Sequence, residues 1–182
     1  MTAVGEQAAP SGRDQAAEWI AQMRPALVRF VRAQLALTPA AEDTAEDIVQ
    51  ETCLAVLRAL PRYEDRGHPF STFVFAVALN KVRDARRVAS RAPAPTATIP
   101  DRPDAGPGPE EVLLQRTPDR ELVQLLAALP SVSREVLLLR VAAGLSTAET
   151  AEILKMSTGA VRVALHRALC RLREMTSAEP QR

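Results

Sequence analysis

Between Thr158 and Leu172 runs TGAVRVALHRALCRL, which carries Arg162, His166, Arg167 and Arg171 and no acidic side chain. Such a set supplies hydrogen-bond donors and positive charge, the chemistry that meets phosphate oxygens and base edges. On a helical wheel at about 100° per residue, Val161, Leu165, Ala168, Leu169 and Leu172 gather on one side. Opposite them lie Ala160, Val163 and Arg167, flanked by Arg162, His166 and Arg173 on one edge and Arg171 on the other. A solvated helix face ordinarily mixes signs to gain local ion pairs; here acids are absent until Glu174. A small-residue centre with cationic edges suits a helix lying in a DNA major groove. Flanking arginines would then meet phosphates, and Val163 a thymine methyl. The alternative is that Val163 packs on a neighbouring helix and the cations are merely solvated.

Two further charge blocks stand out against a net charge of only +1, which by itself says nothing about nucleic acid. Residues 81–91 hold Lys81, Arg83, Arg86, Arg87 and Arg91 against one acid, Asp84. Cations favour a helix C-terminus, but five exceed what that small effect needs, and a second phosphate-binding surface is expected. Residues 40–51 (AAEDTAEDIVQE) hold five acids and no base. In the helix that follows from them, Ala45, Ile48, Val49, Thr52, Cys53, Val56, Leu57 and Leu60 form one face. Asp43, Asp47, Gln50, Glu51, Leu54 and Arg58 fall away from it. An exposed Leu54 ringed by polar groups fits a protein-binding hot spot, although a lone exposed leucine is often inconsequential.

Catalytic signals are missing. The two histidines, His68 and His166, sit in a loop and in the basic helix, without a Gly-rich phosphate loop, a nucleophile–base arrangement or a metal-ligand cluster. No enzyme activity, cofactor or metal is expected. Cys53 and Cys170 are far apart and read as free thiols in a reducing cytosol.

The elements that must position these residues read as helices throughout. Hydrophobic residues make up 47% of the chain but aromatics only 3%, a Leu/Ala-rich mix that suits helices rather than sheets. The fold class expected is all-α, two small helical domains joined by a flexible Pro-rich linker. RAPAPTATIPDRPDAGPGPE, residues 91–110, holds six of the fourteen prolines and resists helix and sheet alike. The expected organisation is a disordered N-terminus (1–13), a first domain (14–91), the linker (92–114), a second domain (115–176) and a tail (177–182). In the first domain Trp19, Ile20, Met23, Leu27, Phe30, Val31 and Leu35 mark one helix, with Pro25 predicting a kink or a helix start there. Pro61 ends the acidic helix, and Pro69 precedes the helix that turns basic at its end. In the second, one helix closes at Pro130 and the next at Gly144, a helix-stop residue. Ser146 with Glu149 then forms a capping box for TAETAEILK. A short turn at Met156–Ser157 leads into the basic helix, a helix-turn-helix pattern with Ala151, Leu154, Val161 and Leu165 as its small core. No run approaches the ~20 apolar residues of a membrane span, and the first residues lack a signal-peptide pattern. A cytoplasmic protein with no membrane contact is expected.

Taken in order, AEDIVQET, PRYEDRGHPFSTFVFAVALNKVRDARR, the Pro-rich spacer, LPSVSREVLLLRVAAGLSTAETAEIL and TGAVRVALHRAL resemble the extracytoplasmic-function (ECF) sigma factors of bacterial RNA polymerase. The resemblance covers about residues 14–91 (region 2) and 115–175 (region 4). ALPRYEDRG and LRVAAGLSTAETA look most like an actinobacterial sigma-D-like branch. It implies a protein that binds core polymerase, recognises the −35 and −10 promoter elements and melts the −10 DNA without hydrolysing anything. Asp43, Asp47, Gln50, Glu51, Leu54 and Arg58 would meet the coiled coil of the β′ subunit, with the β flap as a second polymerase contact. Tyr63, Glu64, Asp65, Arg66, Asn80, Lys81, Arg83, Asp84, Arg86 and Arg87 would engage the −10 element, a flipped base being captured in the Tyr63–His68 loop. Ser157, Thr158, Arg162, Val163, His166, Arg167 and Arg171 would read the −35 duplex. An anti-sigma factor is a possible further partner.

Three departures from the family pattern matter. Arg162-Val163-Ala164 replaces a frequent Lys/Arg-Ser-Arg run, so the common −35 consensus is not expected. Lys155 stands where glycine is frequent, at a cost of about 1 kcal/mol if its backbone is left-handed. Phe73 or Val74 stands where tryptophan is frequent. Two rival readings remain: a stand-alone helix-turn-helix regulator, which leaves the Leu54 face without a job, and a helical adaptor, which leaves the basic blocks without one.

Overall fold

A computed structural model describes residues 10, 12–36, 41–64, 67–91 and 120–177. The expected linker lies outside them, as do residues 1–9 and 178–182 of the two expected tails and the −10 candidates Asp65 and Arg66. Seven α-helices are described: α1 (Arg13–Leu35), α2 (Ala41–Ala59), α3 (Phe70–Arg91), α4 (Arg120–Ala127), α5 (Ser131–Val141), α6 (Thr147–Leu154) and α7 (Thr158–Ser177). A single 3₁₀ turn, Leu60–Arg62, follows α2, and the described residues contain no strand.

The N-terminal half is a bundle of α1, α2 and α3. The periodic stripe of α1 is buried from Trp19 through Leu35, and α1 runs unbroken through Pro25 rather than starting there. Pro25 is exposed, so the carbonyl it leaves without a helical partner can turn to water. Apolar residues before and after it pack into the same core, which holds the helix together across the defect. Edge-on aromatic pairs lock α1 to α3: Trp19 with Phe70 at 5.0 Å and Phe30 with Phe75 at 5.4 Å between ring centres. At the other end Arg86 of α3 donates to the Gln34 carbonyl and, at 2.9 Å, to Gln34 Oε1.

In the C-terminal half, Arg134 donates to the Leu126 and Leu129 carbonyls at 2.8 and 2.9 Å, satisfying acceptors at the end of α4. Gly144 adopts φ +74° just beyond α5, the left-handed turn that glycine makes without a Cβ penalty. Val136, Ala151, Val161 and Ala164 form a small buried core, with Leu154, Met156 and Leu165 against it. All four side chains expected there take part.

The two halves are docked on each other. A second, larger apolar cluster is continuous from Trp19, Phe30 and Phe75 of the N-terminal half to Leu126, Leu129, Leu137 and Leu139 of the C-terminal half. Polar contacts between α3 and the helices α5 and α6 cross the same boundary.

Candidate nucleic-acid and polymerase interfaces

The helix-turn-helix is built from α6 and α7. Ser146 Oγ accepts from the Glu149 N–H at 3.2 Å, and Glu149 Oε2 accepts from the Ser146 N–H at 2.8 Å, which completes the expected capping box. The turn is made at Lys155, whose backbone is left-handed at φ 54°, ψ 46°. Met156 N–H donates back to the Ala151 carbonyl at 2.9 Å, which closes the end of α6. Lysine therefore bears the cost of about 1 kcal/mol that glycine would avoid. Its side chain reaches Glu152 at 2.6 Å on the surface.

Ser157 opens α7 and accepts from the Ala160 N–H at 3.1 Å, so its hydroxyl serves as a cap as well as a candidate DNA contact. Ser157, Thr158, Arg162, His166, Arg167 and Arg171 are exposed. Val163 is 50% exposed, so it does not pack on a neighbouring helix of this chain. Ala164, by contrast, is buried in the small core and cannot reach a base. Arg171 lies 3.7 Å from Glu174, and Cys170 Sγ touches the His166 ring at 3.7 Å.

The polymerase candidates Asp47, Gln50, Glu51, Leu54 and Arg58 share the exposed side of α2. Leu54 is 44% exposed among them, while the side chain of Asp43 lies outside the described set. Half-buried Cys53 is on the core side, and burial pushes its thiol above the ordinary value against the pull of Arg24. That environment disfavours a reactive thiolate.

Tyr63 is half-buried, with its ring 5.2 Å from Phe70 and 5.1 Å from Phe73. A cleft of about 950 Å³ opens beside this aromatic cluster, lined by Arg58, Tyr63, Glu64, Phe73, Asn80 and Arg83. Glu152, Ile153 and Lys155 of the C-terminal half complete its wall, and no sequence signal pointed to them. The basic face of α3 is largely engaged within the chain. Lys81 pairs with Glu51 at 2.8 Å, and Arg87 pairs with Asp84. Arg83 grips Glu135 with both prongs of its guanidinium, at 3.1 and 2.7 Å. Arg86 is held by Gln34; burial, then the neighbouring Arg134, lowers its pKa from the ordinary value, with Glu135 opposing. Asn80 is exposed. No cluster of three potential metal ligands occurs among the described residues.

Comparison with known proteins divides the chain at the same place. The Sigma-70 region 2 family model matches residues 19–92, and the Sigma-70, region 4 model matches residues 119–172. The ECF RNA polymerase sigma factor SigD of Mycobacterium tuberculosis is 43% identical over 175 residues, covering 96% of this chain and 82% of that one. ShbA, an ECF RNA polymerase sigma factor of Streptomyces griseus, is 49% identical over 161 residues, 86% of this chain and 84% of that one. Among solved structures, CnrH in complex with the cytosolic domain of CnrY superposes with a TM-score of 0.68 at 25% identity, over 94% of each chain.

Proposed function

The chain belongs to the extracytoplasmic-function sigma factors of the sigma-70 family, and from that premise we propose how its surfaces divide the work of directing transcription initiation. The exposed side of α2 docks on the β′ coiled coil of core polymerase, with Leu54 as the apolar anchor and Asp47, Gln50, Glu51 and Arg58 as its polar rim. The β flap supplies a second contact. Helix α7 enters the major groove of the −35 element. Arg162, Arg167 and Arg171 meet phosphates or base edges, Val163 offers its apolar surface to a thymine methyl, and His166 adds a donor at the edge. Ser157 and Thr158, at the N-terminus of α7, lie where backbone N–H groups favour a phosphate.

At the −10 element the cleft beside Tyr63 receives a base turned out of the stack. Unstacking costs a few kcal/mol. Stacking on an aromatic returns about 1–3 kcal/mol per base, and phosphate contacts from the basic face of α3 supply the remainder. Binding energy does all the work in this scheme, so no catalytic group or cofactor is required. No helix among the described residues is long and apolar enough to cross a membrane, which fits action beside polymerase in the cytoplasm. An anti-sigma partner is part of the proposal, in keeping with the structural likeness to CnrH bound to the cytosolic domain of CnrY.

The observation that carries the polymerase assignment is the exposed Leu54 amid a polar ring on α2. A stand-alone regulator gives that face no role. Replacing Leu54 by Arg puts charge into the contact and should weaken binding to purified core polymerase by about 2 kcal/mol or more, roughly thirtyfold. Far-UV circular dichroism should be unchanged. Unaltered affinity for core would remove the assignment.

A further inference from the structure

The cleft beside Tyr63 holds two cations that no sequence pattern marked for DNA. Arg58, in the last turn of α2, and Arg62, in the 3₁₀ turn that follows, both line it and are exposed. They stand four residues apart. Neither has a hydrogen-bond or ion-pair partner among the described residues.

The other cations of the cleft already face carboxylates. Arg83 is held by Glu135 at 2.7 Å and Lys155 by Glu152 at 2.6 Å, and His68 lies 3.9 Å from the same Glu152. Elsewhere on α3, Lys81 pairs with Glu51 and Arg87 with Asp84, while Arg86 donates to Gln34. Surface ion pairs are weak and break readily. Breaking one nevertheless leaves its carboxylate beside the incoming phosphate, which cancels much of the attraction. Arg58 and Arg62 bring no such partner. Between residues 58 and 64 the only acid is Glu64, so this edge of the cleft is net positive.

Position adds to charge. The 3₁₀ turn is closed by the Tyr63 N–H donating to the Leu60 carbonyl at 3.1 Å. The Tyr63 ring packs on Phe70 and Phe73, at 5.2 and 5.1 Å between centres. Arg62 is therefore anchored next to an aromatic ring whose place is fixed. A base stacked on that ring has its own phosphates one sugar away, within reach of a long neighbouring side chain. Arginine suits the task, because its planar fork can donate two parallel hydrogen bonds to phosphate oxygens.

We propose that Arg62, with Arg58 one turn before it, grips the backbone phosphate next to the base received beside Tyr63, so that the melted strand is held from the end of α2 as well as from α3. The proposal rests on the assignment of that cleft to the −10 element. Arg58 also belongs to the polymerase rim, so the test falls on Arg62.

The experiment uses core polymerase loaded with the full-length chain, and a fluorescent single strand carrying the −10 sequence of a promoter located by start-site mapping. For a single strand, each phosphate contact contributes about −0.7 to the slope of log affinity against log salt concentration. Arg62→Ala should weaken binding by about tenfold in low salt and flatten that slope by about 0.7. Arg62→Lys keeps the charge without the fork and should restore most of the slope. A methylphosphonate is then placed at each phosphate of the strand in turn. Neutralising the gripped phosphate should weaken the wild type and leave Arg62→Ala unchanged, the coupling that direct contact requires. An unaltered salt slope, or additive losses at every phosphate, would overturn the contact. So would an equal loss of affinity for core polymerase without DNA, which would move Arg62 to the polymerase interface. Wild-type holoenzyme that binds the −10 strand no better than a scrambled one would instead bring down the assignment of the cleft, and the Arg62 contact with it.

Discussion

Lys155 and Ala164 show how far single residues could be read. Spacing placed the turn at Met156–Ser157, and the family resemblance singled out Lys155 as standing where glycine is frequent; its backbone is left-handed. Lys155→Gly should therefore stabilise the protein by about 0.5–1 kcal/mol in urea denaturation. Relief of the αL penalty outweighs the loss of a surface pair with Glu152 that is itself worth well under 1 kcal/mol. A destabilised variant would mean that the Lys155–Glu152 contact matters more than the backbone. Val163 fell on the outer face of the wheel and is half-exposed. Ala164 was harder. It follows Val163 in a stretch that departs from the family pattern, yet it faces Val136 and Ala151, residues that only the packed structure brings to it. Of Arg162, Val163 and Ala164, only the first two are exposed and available to a duplex.

At the scale of the element, helix type and register were written in apolar spacing and in punctuation by proline, glycine and serine. The capping box at Ser146, the stop at Gly144 and the core face of α2 all follow from local rules. Continuity of α1 through Pro25 does not, because tertiary packing on both sides of the proline outweighs the lost hydrogen bond. The functional claim at this scale concerns α7. Its exposed, acid-poor face from Arg162 to Arg171 should discriminate bases and not merely attract phosphate. Arg167→Ala should cost about 1–3 kcal/mol on the preferred −35 duplex and much less on duplexes altered at the contacted base. Equal losses on every sequence would reduce Arg167 to a phosphate contact.

For the whole molecule, the split into two helical halves was legible in the Pro-rich segment between them, but their docking was not. The contacts that make it join residues far apart in sequence, such as Ser71 with Glu149 and Arg83 with Glu135. Glu149 already had a sufficient local explanation as a capping residue, and no pattern marked Glu135 as a partner for Arg83. Long-range pairing of surface-type residues leaves no periodicity to read. The cleft beside Tyr63 shares this property, since α2, α3 and the residues between them line most of it and Glu152, Ile153 and Lys155 close it from the other half.

The central claim is that this chain confers promoter-specific initiation on a polymerase that lacks it. The most direct measurement is run-off transcription with start-site sequencing, using purified core polymerase on host genomic DNA with and without the chain. The account predicts discrete start sites that appear only when both are present and that share paired −35 and −10 motifs. A chain that binds duplex DNA tightly by itself yet never produces such starts with core would contradict it.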